Sequence, residues 1–115
     1  MQIGLVGLGR MGMNMGRRWL KGGHEVIAFN RTYAKSEELA KEGAKPAKSL
    51  LDFVKALKAP RVVWLMLPAG EATDEHMAKI SELLSPGDVV VDGANNYYKD
   101  DIRIQEFFSH IHFQL

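Results

Sequence analysis

The sequence predicts an α/β domain built on a doubly wound parallel sheet with helices on both faces, and three observations point there. Apolar runs of strand length alternate with amphipathic stretches of helix length along the chain. Two of these runs, Arg61-Val-Val-Trp-Leu-Met-Leu67 and Asp88-Val-Val-Val-Asp92, are apolar without strict alternation, as expected of central strands covered on both faces. The first run, Ile3 to Val6, passes straight into Gly7-Leu-Gly-Arg-Met-Gly12 and a helix-period pattern. A second strand, His24 to Phe29, then completes a strand–helix–strand unit of about 30 residues. Together they describe a Rossmann-type fold.

Strands are expected near 2–6, 25–29, 44–47, 62–67, 88–92 and 111–114, and helices near 11–21, 34–42, 50–57, 72–84 and 100–108. Gly22-Gly23, Gly43, Lys58-Ala-Pro60 and Ser85-Pro-Gly87 supply the stops after the first four helices. On the first helix Met11, Met15 and Trp19 share a stripe assigned to the core, with Gly12 and Gly16 permitting close approach to the sheet.

A chain of 115 residues is expected to form one domain, 1–115, with room for one sheet and its helices but not for a second domain. Hydrophobic content of 46% and charged content of 25% are those of a globular protein, and no apolar run approaches the roughly 18 residues of a membrane span. The N-terminus is already strand, with no basic region or cleavage site of a signal peptide, so a cytoplasmic location and no membrane partner are expected. The absence of cysteine excludes disulfides, thiolate catalysis and cysteine-based zinc sites. A net charge of +1 gives no argument for nucleic acid, and the basic cluster Arg17-Arg18 with Lys21 reads as a solvated helix face. His110 and His112 would share one face of a strand but lack a third ligand, so no metal is expected.

In the glycine loop each small residue has a mechanical reason. Gly7 lets the chain turn off the strand, Gly9 clears the approach of a pyrophosphate, and Gly12 lets helix and sheet pack closely. The free N–H groups and positive dipole end of that helix would then face the phosphates, and Gly7, Leu8, Gly9, Arg10, Met11 and Gly12 are the cofactor-binding candidates of the loop. The second strand runs on into Asn30-Arg31-Thr32, where an NAD site would carry an acid for the ribose 2′-hydroxyl. No acid is present, and an amide, a guanidinium and a hydroxyl can all donate to a 2′-phosphate, which favours NADP over NAD. The alternative is that Asn30 and Thr32 cap the second helix while Arg31 is only solvated. Ligands of such sheets gather at the carboxyl ends of the strands, so Leu67-Pro68-Ala69 is placed along the cofactor. Asp92-Gly93-Ala94-Asn95-Asn96-Tyr97-Tyr98 ends the fifth strand and reads equally as a site or a turn.

Gly7-Leu-Gly-Arg-Met-Gly12 with Asn14-Met15, Asn30-Arg31-Thr32 and Asp92-Gly-Ala-Asn-Asn-Tyr-Tyr98 resemble the N-terminal coenzyme domain of 6-phosphogluconate dehydrogenase, from Met1 to about Asp101. The resemblance implies an NADP-dependent oxidation of 6-phosphogluconate at C3, followed by loss of carbon dioxide to give ribulose 5-phosphate in the pentose phosphate pathway. It also implies that Asn95 sits where nicotinamide and substrate meet. The chain departs from the family in Ala94, Asn96-Tyr97 and Pro68, variants that fit a bacterial branch with NAD-using members. The β-hydroxyacid dehydrogenases, such as 3-hydroxyisobutyrate dehydrogenase, resemble the first 90 residues almost as well, but usually carry a Ser-Thr pair where this chain has Gly93-Ala94-Asn95.

In both families a Ser-Gly-Gly substrate loop, a catalytic lysine with a nearby asparagine, and an all-helical second domain would fall beyond Leu115. The 115 residues alone are therefore expected to carry no catalytic residue, to bind the small-molecule cofactor without turnover, and to meet a sugar-acid phosphate only together with the helical domain. Self-association through apolar surface near the sixth strand is a further expectation. A non-catalytic nucleotide-binding module is the alternative from outside the enzymes.

Overall fold

The computed structural model describes residues 1–67, 74–93 and 112–114; of residues 74–77, 92 and 112–114 only the backbone is described. Six strands form one sheet: β1 (Gln2–Val6), β2 (Glu25–Phe29), β3 (Lys45–Pro46), β4 (Val62–Leu65), β5 (Val89–Asp92) and β6 (His112–Gln114). Between them lie α1 (Arg10–Lys21), α2 (Tyr33–Ala40), α3 (Leu50–Ala56) and α4 (Asp74–Leu83). The sheet order is β3-β2-β1-β4-β5-β6, and every pair is parallel. From β1 the chain winds outward through β2 to β3, then crosses to β4 and winds the other way. The strand order therefore reverses between β1 and β4, and a crevice opens there at the carboxyl ends.

Each inner strand feeds both faces with apolar side chains because successive residues point to opposite sides. Leu5, Val26 and Ala28 pack with Met13 of α1 and Leu39 of α2 on one face. Val6, Ile27 and Phe29 pack with Phe53 of α3 and Ile80 of α4 on the other. Glycines set the spacing: a Cβ on Gly16 would lie 2.7 Å from Leu39 Cδ2 and 3.1 Å from Leu5 Cδ2. Trp19 of α1 meets Trp64 of β4 edge-on, with ring centroids 5.5 Å apart and planes at 64°.

The described elements fall within two residues of where the periodicity puts them; most ends are shorter, while α1 and α2 begin one residue earlier than expected. β3 shrinks to two residues because Pro46 has no N–H for the ladder, although Ala47 still donates to the Ala28 carbonyl at 2.9 Å. β4 stops at Leu65, yet the Met66 N–H reaches the Val6 carbonyl at 2.7 Å, so the apolar run stays bonded past the strand. α3 opens on a Ser49 cap whose hydroxyl accepts the Asp52 N–H at 3.0 Å. The expected helix at 100–108 lies outside the described residues.

One assignment to the core is corrected. Met11 is 58% exposed, and the buried positions of α1 are Gly12, Met13 and Gly16. Gly12 and Gly16 form the line that touches the sheet, so the residue before Gly12 is turned about 100° away from it. Met15 and Trp19 are only partly buried against the same cluster.

Candidate nucleotide-binding site

The loop after β1 separates what the protein requires of its glycines from what it does not. Gly7 has φ +99°, and a Cβ there would lie 2.7 Å from the Met66 carbonyl oxygen. A Cβ on Gly12 would run into the Gly7 carbonyl oxygen. Both must be glycine for the fold to close. Gly9 is different: its φ of −67° suits any residue, and a Cβ there would meet nothing within 4 Å. No protein atom demands glycine at position 9, and the space its side chain would fill is where a ligand could approach the backbone.

Gly9 is also the N-cap of α1, and no side chain caps the helix there. The Met13 N–H donates to the Gly9 carbonyl at 2.8 Å, the first bond of the helix. The amides of Arg10, Met11 and Gly12 precede it, so they have no intrahelical acceptor. With no acid in the first turn, this end of α1 suits an anion.

The loop after β2 lies against the first. The Gly7 N–H donates to the Phe29 carbonyl at 3.0 Å, continuing the β1–β2 ladder. Next to it the Leu8 N–H donates to Asn30 Oδ1 at 2.8 Å, and Asn30 Nδ2 donates to the Thr32 carbonyl at 3.0 Å. Thr32 occupies the N-cap position of α2, but its hydroxyl makes no capping bond. Side-chain capping by Asn30 and Thr32 is therefore not what these residues do. Arg31 and Thr32 are exposed, and α2 has no acid in its first turn.

A groove of about 300 Å³ runs between α1 and α2, lined among others by Gly9, Arg10, Asn14, Arg17 and Lys35. The sequence reading did not assign Asn14 or Lys35 to the site. Their signal was spacing: each stands about one helical turn inside its helix, Asn14 from Arg10 and Lys35 from Thr32. Arg17 is not merely solvated. Its Nε donates to Glu42 at 2.6 Å and its Nη2 approaches Glu38 at 3.5 Å, tying α1 to α2. The hydrogen bond it donates to Glu42 is the main reason its guanidinium holds its proton more firmly than usual.

The remaining candidates divide plainly. Leu8 and Leu67 are buried, at 2% and 6% exposure, and Leu8 contributes to the groove wall. The Leu67 nitrogen would lie 3.1 Å from a Cβ on Gly7, which sets the β4 exit beside the glycine loop. Pro68, Ala69 and Asn95 lie outside the described residues, as does His110. Among the described residues no group of three potential ligands could hold a metal ion, and no helix is long and apolar enough to cross a membrane.

A family model described as the NAD binding domain of 6-phosphogluconate dehydrogenase matches residues 2–114. The NAD(+)-dependent, decarboxylating 6-phosphogluconate dehydrogenase of Haloferax volcanii is 42% identical over 106 residues, covering 92% of this chain and 36% of the relative. A Plasmodium falciparum 6-phosphogluconate dehydrogenase structure, described in apo form and with NADP+ or 6-phosphogluconate, superimposes with a TM-score of 0.86 at 30% identity. It covers 98% of this chain and 26% of its own. The 3-hydroxyisobutyrate dehydrogenase of Mycobacterium tuberculosis gives a TM-score of 0.84 at 24% identity, covering 97% of this chain and 38% of its own, a likeness of fold alone. The chain spans about a third of the length of the first two curated relatives it matches.

Proposed function

The chain belongs to the family of NAD-binding domains of 6-phosphogluconate dehydrogenase, and we propose that residues 1–115 form a domain that binds NADP in preference to NAD for the oxidative decarboxylation of 6-phosphogluconate. The observation that carries the reading is the pairing of an open Gly9 cradle with an acid-free Asn30-Arg31-Thr32 segment, held side by side by hydrogen bonds.

In this reading the amides at the start of α1 hold the pyrophosphate, and Arg31 and Thr32 donate to the 2′-phosphate. The Leu67 backbone, Pro68 and Ala69 border the cofactor, and Asn95 hydrogen-bonds where nicotinamide and substrate meet. When bound, the cofactor would supply the hydride acceptor for the oxidation. Orienting that reaction also takes a base and ligands for the substrate phosphate, and no residue of these 115 matches the family's lysine. The chain by itself is therefore proposed to bind cofactor without turning over 6-phosphogluconate. The β-hydroxyacid dehydrogenase reading is less well supported, because Gly93-Ala94-Asn95 replaces that family's usual Ser-Thr pair.

Calorimetric titration of the purified chain with NADP+ and NAD+ tests the preference; equal affinities would overturn it. An assay with NADP+ and 6-phosphogluconate, following the reduced cofactor, tests the second part. Turnover above the enzyme-free control, with contaminating full-length enzyme excluded, would overturn that.

A further inference from the structure

Asn30 is half-buried between the two loops, and its amide is spent on protein groups. Oδ1 accepts the Leu8 N–H at 2.8 Å, and Nδ2 donates to the Thr32 carbonyl at 3.0 Å. The orientation is unambiguous, because a backbone N–H must face the oxygen and a backbone carbonyl must face the nitrogen. The Thr32 carbonyl also receives the Lys35 N–H at 3.1 Å, so the same side chain fixes the start of α2. One amide hydrogen of Asn30 remains for any other partner. The Leu8 N–H, in turn, is already committed and is not available to a phosphate.

From this geometry, and resting on the nucleotide-binding reading above, we propose that Asn30 is a positioning residue. It ties the pyrophosphate loop to the 2′-phosphate segment, so that each half of the site holds the other in place, and it leaves the choice between NADP and NAD to Arg31 and Thr32. Asparagine suits the task because it presents an acceptor and a donor on opposite branches of one short side chain. Aspartate could still accept the Leu8 N–H but would set an oxygen against the Thr32 carbonyl. Alanine would release both loops.

The test uses two probes that each fill one half of the site: ADP, with a pyrophosphate and no 2′-phosphate, and adenosine 2′-monophosphate, with the reverse. Binding to the parent chain and to Asn30→Ala, Asn30→Asp and Arg31→Ala is followed in amide NMR spectra, which also report hydrogen exchange of Leu8 without ligand. The expected result is that Asn30→Ala speeds Leu8 exchange at least about tenfold, leaves Val26 exchange unchanged, and weakens both probes by about five- to tenfold. Asn30→Asp should bring ADP back to within about threefold of the parent, because the acceptor is retained. Arg31→Ala should weaken only adenosine 2′-monophosphate. If Asn30→Ala weakens that probe alone, with Leu8 exchange unchanged, Asn30 is an ordinary phosphate donor and the proposal is wrong. If Val26 exchange rises as well, the substitution loosens the whole sheet, and the Asn30→Asp arm decides: ADP affinity no better than in the alanine variant overturns the tie. A parent chain that binds neither probe while Leu8 stays protected overturns the nucleotide reading and leaves the tie standing.

Discussion

The two ends of the same sheet treat their polar groups in opposite ways. At the amino end of β4 and β5, Asp88 is 1% exposed and collects the Ser85 N–H at 2.8 Å, the Arg61 N–H at 2.7 Å and Arg61 Nη1 at 3.1 Å. Beside β1, Gln2 accepts the Lys58 N–H at 2.7 Å and donates to the Ala56 carbonyl at 3.3 Å. Loops there are closed by side chains of the protein itself. At the carboxyl end α3 keeps its Ser49 cap, but α1 and α2 begin without a capping side chain, and among the described residues Asn30 joins the loops after β1 and β2 through its side chain. A fold can afford exposed helix-end amides where a ligand is to complete them, whereas a buried carboxylate needs its partners supplied from within. Stability and binding should therefore be separable by position.

The largest effect is expected at the closed end. Asp88→Ala leaves the Arg61 guanidinium and two backbone N–H groups without their shared acceptor, and should cost about 3 kcal/mol in urea unfolding. NADP+ affinity of the folded fraction should not change; if it falls as stability does, the two ends are not independent. Next comes Gly9→Val at the open end, where the side chain meets no protein atom but stands in the path of the pyrophosphate. NADP+ should bind about a hundredfold more weakly by calorimetry, with stability altered by about 1 kcal/mol at most. Arg31→Ala should weaken NADP+ by about ten- to hundredfold and leave NAD+ within about twofold, measured in the same way.

The smallest effect concerns pH. Burial alone would raise the Asp88 carboxyl, but the Ser85 and Arg61 backbone N–H groups and the Arg61 guanidinium outweigh it and hold the group below its ordinary value. A carboxyl so lowered adds stability that is present above its unfolded value and is lost as pH falls through the folded one. The unfolding midpoint of the parent should drop over that acidic window, and Asp88→Asn should flatten the dependence. An unchanged slope in the variant would assign the acid sensitivity to other carboxylates.

The open end was far more legible in the sequence than the closed one. A tight turn, a helix start and a missing acid are local properties, so Gly7 to Gly12 and Asn30 to Thr32 stood out from neighbouring residues alone. Asp88 looked like the first residue of a strand, because its partner Arg61 is 27 positions away and nothing in either segment announces the other. Asn30 stands out in the sequence as a donor, whereas the bond it makes to the Leu8 backbone amide is one that no side-chain pattern reveals. Met11 was misplaced because helical period gives the spacing of a stripe but not which way the first turn faces. Gly9 is the instructive case in reverse: the sequence marked it, and the structure adds that no protein contact accounts for it.

Trp19 and Trp64 are the chain's only tryptophans, and they touch each other across the seam between α1 and the sheet. The tryptophan fluorescence of the molecule, excited selectively beyond the tyrosine band, is thus the optical signature of a single contact, and indoles at that distance and angle should couple as an exciton pair in circular dichroism. A movement of the glycine-loop helix against β4, as when a dinucleotide seats, would be visible without any label.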